Sequence, residues 1–399
     1  MKTKVLCMLT AIIFISTFCL LTTSAHSGRG VTSDTIKMGI IMVKTGPVAI
    51  MGKSQSQGDK DYFRYVNEDL GGVNGRKIVL IHEDDQFKAD LSLAAFKKLM
   101  MRDKVLSIIT CGGTPQQVAN FANIKKYKTS NIPNSLAEEM YLPHKPYIFN
   151  IGASYEQQIF IIFDYIFHDL KASKPKIGLV YAETEFGKAC LGGAKKRAAQ
   201  YKIKMAAEVV LPMGSVDASS QVLSLQKAGV DIVIFSCLIP DTVTFLKAAQ
   251  KYNYKPQIFA INWATDDLII KLAGPAAENL IGVNYIDSWY SDSKGMILAR
   301  ELTKKYDSKP PLKSLYTNGF LQGILFTEAF KRAGKDLNPD TLQKAFESSR
   351  PFDTMGITPL ISWKKGNHSP PNEVRFFKAD LEQKRFVPIT GWRKAIDMK

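Results

Sequence analysis

The sequence predicts an α/β protein of two lobes, each built round a largely parallel sheet. Three observations carry this. Short β-branched runs alternate with amphipathic helical runs along most of the chain, the pattern of right-handed βαβ units whose helices cover both sheet faces. The rhythm lapses after residue 126 and restarts at residue 176. When it ends again, long helical segments follow with no strand between them. The first lobe therefore resumes beyond the second, and the chain crosses the hinge several times.

The first run opens with a strand over 36–43 (IKMGIIMV) and a helix over 53–70 stopped by Gly71-Gly72. A strand over 77–82 (KIVLIH) follows, then a helix over 90–103 with Leu91, Ala94, Ala95, Leu99 and Met100 at helical spacing. The strand over 106–110 (LSIIT) runs into Cys111-Gly112-Gly113-Thr114-Pro115. Thr114 suits the N-cap, and Pro115 the first turn, of a helix over 116–126.

In the second run, strands are predicted over 176–181, 205–211, 231–237 and 257–261, with helices over 187–201, 219–227, 242–252 and 266–272. Helices over 294–306, 314–333 and 339–349 come next. The tail turns to β-hairpin character, with a turn over 363–367 (WKKGN) and strands over 373–379 and 385–389. The segment from Ile159 to Phe167 is apolar on nearly every helix face, but it is too short to span a bilayer and holds Asp164. It reads as buried helix.

The 399 residues carry 53 Lys+Arg against 37 Asp+Glu, a formal net charge of +16. Such a balance calls for an acidic partner: nucleic acid, an anionic membrane or an anionic ligand. The first residues choose among them. Lys2 and Lys4, an apolar run from Val5 to Ile15 and a small-x-small close at Thr23-Ser24-Ala25 lay out a secretory signal peptide over 1–25. Export to the periplasm takes nucleic acid off the list. Of five cysteines, Cys111, Cys190 and Cys237 stay in the mature chain, each flanked by apolar residues. No CxxC pair supports a zinc site, and no cofactor or metal is expected.

Catalytic patterns are missing: there is no GxGxxG, GxxxxGK[ST], HExxH or GxSxG. The five histidines are scattered without metal-ligand spacing. Glu83-Asp84-Asp85 follows a strand and reads as a loop capping the next helix. The chain is expected not to be an enzyme. What remains is binding geometry. Ligands of parallel α/β sheets sit beyond the C-terminal strand ends, where helix N-termini favour an anion. The loops over 45–52, 111–115 and 130–138 suit that role, and Thr114 there fits a helix cap as well as a ligand contact.

Several ordered segments carry a resemblance. Ile36-Lys37-Met38-Gly39-Ile40-Ile41, Thr45-Gly46-Pro47, Asn67 to Arg76 (NEDLGGVNGR), Glu83-Asp84-Asp85, Phe186-Gly187, Gly282-Val283 and Gly356-Ile357-Thr358-Pro359-Leu360 come in the order of one family. In these the chain resembles the leucine/isoleucine/valine-binding proteins, the type I periplasmic solute-binding components of ABC importers. The resemblance implies two Rossmann-like lobes on a three-crossover hinge, with lobe 1 over 31–151 plus 286–357 and lobe 2 over 152–285 plus 358–399.

It also implies a site. The family's carboxylate clamp maps to Gly112-Gly113-Thr114 and to Asn134-Ser135-Leu136, where Thr114 and Ser135 keep oxygen-bearing side chains. Met51 stands in place of a first-lobe tyrosine, Phe186 keeps a second-lobe aromatic, and Leu238 follows the strand over 231–237. Amino-acid binders place an acid after the strand over 257–261; here Trp263 stands at that point, and Asp266 and Asp267 lie further on as candidate helix caps. An ammonium buried without an anion costs several kcal/mol. The expected ligand is therefore an aromatic or apolar carboxylate, delivered by a monomer to an ABC permease in the inner membrane. Branched-chain amino acid binding, or a ligand-sensing subunit of a membrane receptor, are the alternatives.

Overall fold

The chain folds round two sheets, one of three strands and one larger. The protein is described by a computed structural model covering residues 28–398; the signal-peptide reading lies outside these residues. In the first sheet, β1 (Thr35–Ile41) is flanked by β2 (Lys77–Glu83) and β3 (Ser107–Cys111), all parallel. Every residue of β3 is buried, as expected of a strand covered on both faces. Extended backbone continues the sheet past β3: Ile132 N–H donates to Ile109 O, and Asn131 bridges Ile148 in parallel.

The second sheet is larger. β4 (Ile177–Tyr181), β5 (Ala207–Val210), β6 (Ile232–Ser236), β7 (Gln257–Ala260) and β8 (Leu280–Asn284) are parallel, in the order β8-β7-β6-β4-β5. β9 (Glu373–Asp380) adds antiparallel to β8, and β10 (Arg385–Pro388) and β11 (Arg393–Lys394) both pair with β9. β8 is a strand that the sequence pattern did not predict. Gly282 breaks its apolar run, although all five of its residues are buried.

Helices alternate with the strands. α1 (Ala49–Glu68) begins four residues before the predicted start. α2 (Ala89–Met101) follows β2, and the single helix expected after β3 is split at Asn120 into α3 (Thr114–Ala119) and α4 (Phe121–Lys126). α5 (Tyr155–Asp164) widens into a π-helical turn over Tyr165–Asp169 and leads to β4. Its side chains Ile159, Ile161, Ile162 and Phe163 are buried. Among the described residues no helix is long and apolar enough to cross a membrane. Asp164 is buried too, in an ion pair with the Arg197 guanidinium of α6 (Glu185–Gln200), and the Tyr201 hydroxyl donates to it at 2.7 Å. α7 (Ser219–Lys227), α8 (Ile239–Lys251) and α9 (Asp267–Ala273) complete the second lobe's cover.

α10 (Lys294–Lys305), α11 (Lys313–Ala333) and α12 (Pro339–Phe346) return to the first sheet. α11 crosses α1 with backbones touching. A Cβ added to Gly58 would lie 1.9 Å from Tyr316 O, and one on Gly319 would lie 2.1 Å from Gln55 O. The segment over 358–368, expected in lobe 2, packs instead with first-lobe elements. The Trp363 indole donates to Asn150 O at 2.9 Å and sits edge-on to Phe149, Phe346 and Phe352. An aromatic cluster holds this turn, and the last passage to β9 follows it.

Candidate functional site

The C-terminal ends of β1, β3, β4, β6 and β7 open onto one cleft, as the geometry of parallel α/β sheets requires. It encloses about 730 Å³, part of it open to solvent. Met42 and Val43 continue from β1; Gly112, Gly113 and Thr114 from β3; Ala182 and Thr184 from β4; Leu238 from β6 and Trp263 from β7. Met51 and Gln55 on α1 and Leu315 on α11 supply another wall.

Gly112 takes φ +77°, a left-handed conformation that an L side chain resists, so the chain turns sharply from β3 into α3. Thr114 is the first residue of α3 and not its cap. The N-cap is Gly113, without a side-chain bond. The Thr114 hydroxyl is engaged elsewhere, 2.8 Å from Ser135 Oγ. Ser135 also accepts from Ala137 N–H, and Leu136 O accepts from Tyr155 N–H. Ser135 and Leu136 are buried behind the cleft wall and do not line it. Of the two, Ser135 touches the Thr114 hydroxyl and Leu136 touches the Tyr155 backbone. The acidic cluster after β2 also acts differently from expectation. Asp84 accepts from Lys44 N–H and the Thr45 hydroxyl, bracing the loop after β1, while the N-cap of α2 is Lys88, without a side-chain bond.

Tyr155 is the residue that sequence reasoning missed. Ser154 caps α5, accepting from Gln157 N–H, and so fixes Tyr155 at the helix start and in the cleft. A Ser five positions before the apolar run that starts at Ile159 was the available signal. Trp263 Nε1–H donates to Tyr155 Oη at 2.8 Å, leaving the phenol proton free to donate onward. The Tyr155 ring meets Phe186 edge-on, centroids 4.8 Å apart. Burial pushes the Tyr155 phenol up to about 12, against the opposing pull of the Leu136 backbone, Trp263 and Thr114. It stays a neutral donor.

No aspartate, glutamate, lysine, arginine or histidine lines the cleft among the described residues. The two acids nearest in sequence to Trp263 are occupied elsewhere. Asp266 caps α9 and accepts from the Ser314 N–H and hydroxyl; Asp267 accepts from the Tyr290 hydroxyl and Phe386 N–H. Burial raises the Asp266 carboxyl above its ordinary range. Cys111, Cys190 and Cys237 are free and buried, and burial pushes all three thiols up.

A model of the periplasmic binding protein family matches residues 35–385. The chain belongs to that family. Its relatives agree with the resemblance read from the sequence. The Leu/Ile/Val-binding protein homolog 1 of Brucella melitensis is 24% identical over 345 residues, covering 86% of this chain and 90% of the relative. A fatty acid ABC transporter substrate-binding protein from Thermomonospora curvata superposes with TM-score 0.83 at 26% identity, covering 92% of this chain and 94% of that one. A branched chain amino acid ABC transporter from Thermus thermophilus with bound valine superposes with TM-score 0.84 at 23% identity, over 91% and 97% of the two chains. The two-lobed fold is the family's.

Proposed function

We propose that this binding protein is the exported substrate-binding component of an ABC importer, and that it captures a small organic acid with an apolar or aromatic tail. One observation carries the ligand class: the cleft has tail-binding surface and hydroxyl donors but no side chain to pair with an ammonium. Trp263 occupies the place where an amino-acid site needs an acid, and Asp266 and Asp267 are bound elsewhere. The relative from Thermomonospora curvata, named for fatty acids, supports an acid without an amino group.

In this reading the Thr114 hydroxyl, the Gly113 backbone and the Tyr155 phenol hold the carboxylate. Ser135 orients Thr114, and Leu136 orients Tyr155. Met51, Phe186, Leu238 and Trp263 pack on the tail. The first α3 N–H groups have no intrahelical acceptor and face the same end of the ligand. Affinity that differs between open and closed lobes drives closure, and an inner-membrane permease receives the closed monomer.

Matched ligand pairs test this. Calorimetry with leucine against isocaproate, and phenylalanine against hydrocinnamate, removes only the amino group. An unpaired buried ammonium costs about 3 kcal/mol, so each acid is expected to bind roughly 100-fold more tightly than its amino acid. Leucine binding more tightly than isocaproate would refute the ligand class and return the site to branched-chain amino acids.

A further inference from the structure

Away from the cleft, three side chains distant in sequence converge. They are His144 in the loop before the Ile148 bridge, Glu347 just past α12, and His368 before the last passage to β9. One ligand atom from each lies within 4.8 Å of the others. None lines the cleft. The wide gaps between 144, 347 and 368 hid the group from sequence reading, which expects no metal.

The His368 ring is buried against Phe149, with centroids 4.2 Å apart. Its Nδ1 lies 2.7 Å from Ile148 O. A carbonyl only accepts, so Nδ1 carries a proton and donates it. Nε2 then faces Glu347 Oε1 at 2.9 Å. On a neutral ring, Nε2 is a lone pair directed at a carboxylate that also offers only lone pairs. A second proton or a metal cation on Nε2 reconciles the two acceptors. The His144 ring stands edge-on to that of His368, with centroids 4.5 Å apart.

We propose that His144, Glu347 and His368 form a binding site for a zinc-type divalent cation, with His368 Nε2, a Glu347 oxygen and a His144 ring nitrogen as ligands. Two imidazoles and one carboxylate suit Zn²⁺ and its transition-metal neighbours, whereas Mg²⁺ and Ca²⁺ require oxygen shells. Tetrahedral bonds of about 2.0–2.1 Å place neighbouring ligand atoms roughly 3.3 Å apart. The His368–Glu347 pair needs only slight opening, and His144, exposed on its loop, swings in to complete the set. The supporting contacts already exist. Ile148 O fixes the His368 tautomer, and the Gln343 amide donates to Glu347 Oε1 at 3.2 Å, the kind of outer contact that orients metal ligands. A bound ion ties the end of α12 and the turn after Trp363 to the loop before Ile148.

The test uses tag-free mature protein stripped with chelator and titrated with zinc chloride. One Zn²⁺ per chain is expected by calorimetry, with a rise in melting temperature that magnesium and calcium chloride do not reproduce. His144→Ala and Glu347→Gln are each expected to weaken zinc binding at least about 10-fold. Because His144 is exposed, His144→Ala leaves the metal-free melting temperature unchanged. X-ray absorption of the one-to-one complex is expected to show two imidazoles. Failure to take up stoichiometric zinc, an affinity unchanged in either variant, or an absorption shell without imidazole overturns the site and leaves His368–Glu347 an ordinary buried pair.

Discussion

Thr114→Val is the sharpest probe of the carboxylate anchor. The substitution keeps side-chain shape and removes one hydroxyl. Inside the protein it breaks the 2.8 Å contact with Ser135, which keeps Ala137 N–H as a partner. A neutral hydrogen bond contributes about 1 kcal/mol net, so the melting temperature is expected to fall by no more than about 2–4 °C. For the ligand the loss is larger, because a hydrogen bond to a charged group contributes about 1.5–3 kcal/mol. That converts to a roughly 10- to 150-fold weaker carboxylate. Calorimetry with hydrocinnamate and with its methyl ester separates the effects: the acid loses affinity in the variant and the ester changes little. If hydrocinnamate bound Thr114→Val as tightly as the parent, Thr114 would not hold the carboxylate, and the anchoring argument would fail.

Other expectations follow from the buried groups. Burial raises the Glu156 carboxyl to about 7, so the folded state holds its proton more tightly than the unfolded chain. The stabilisation this gives is present below about pH 4.5 and lost as pH rises toward 7. Glu156→Gln removes that dependence and is expected to gain about 2 kcal/mol over the parent at pH 8; parallel urea melts from pH 4.5 to 8 with a constant difference would contradict it. Arg197→Ala strands the buried Asp164 carboxylate and is expected to cost about 3–5 kcal/mol in chemical denaturation, a loss below 1 kcal/mol counting against a structural pair. Gly319→Ala drives a methyl onto Gln55 O, 2.1 Å away; backbone cannot yield as a side chain does, so a destabilisation of at least about 1–3 kcal/mol is expected, and ligand affinity measured alongside it should fall because Gln55 lines the cleft.

Strand–helix alternation made the two sheets legible, because strands buried on both faces are written as unbroken apolar runs such as IVIFS in β6. β8 escaped because Gly282 diluted the same signal. The turn around Trp363 was legible as a turn but not as to which lobe owns it, since that depends on Phe149, Phe346 and Phe352 meeting the indole from elsewhere in the chain. At the cleft, loops that leave strand ends could be read locally, which is why Gly113, Thr114, Phe186, Leu238 and Trp263 were singled out and stand along it. Tyr155 could not. Its role comes from the Trp263 indole reaching it across 108 positions of sequence, and pairwise contacts at that separation leave no trace in periodicity. Ser135 and Leu136 lie on a loop that could be read locally, but their burial behind the cleft lining is set by packing that the sequence does not display.

The touching backbones of α1 and α11 have a bearing on selectivity. Met51 and Gln55 stand on one of these helices and Leu315 on the other, and with the helices in direct main-chain contact neither can slide to make room. That wall exists before any ligand arrives, so no ordering entropy is spent on it at capture. For an acid of the kind proposed above, one carbon too many would meet no yielding partition; its surplus length would go toward the second lobe and hold the lobes apart. Chain length would then be read out as the extent of closure, and poorly fitting acids would be bound yet delivered slowly.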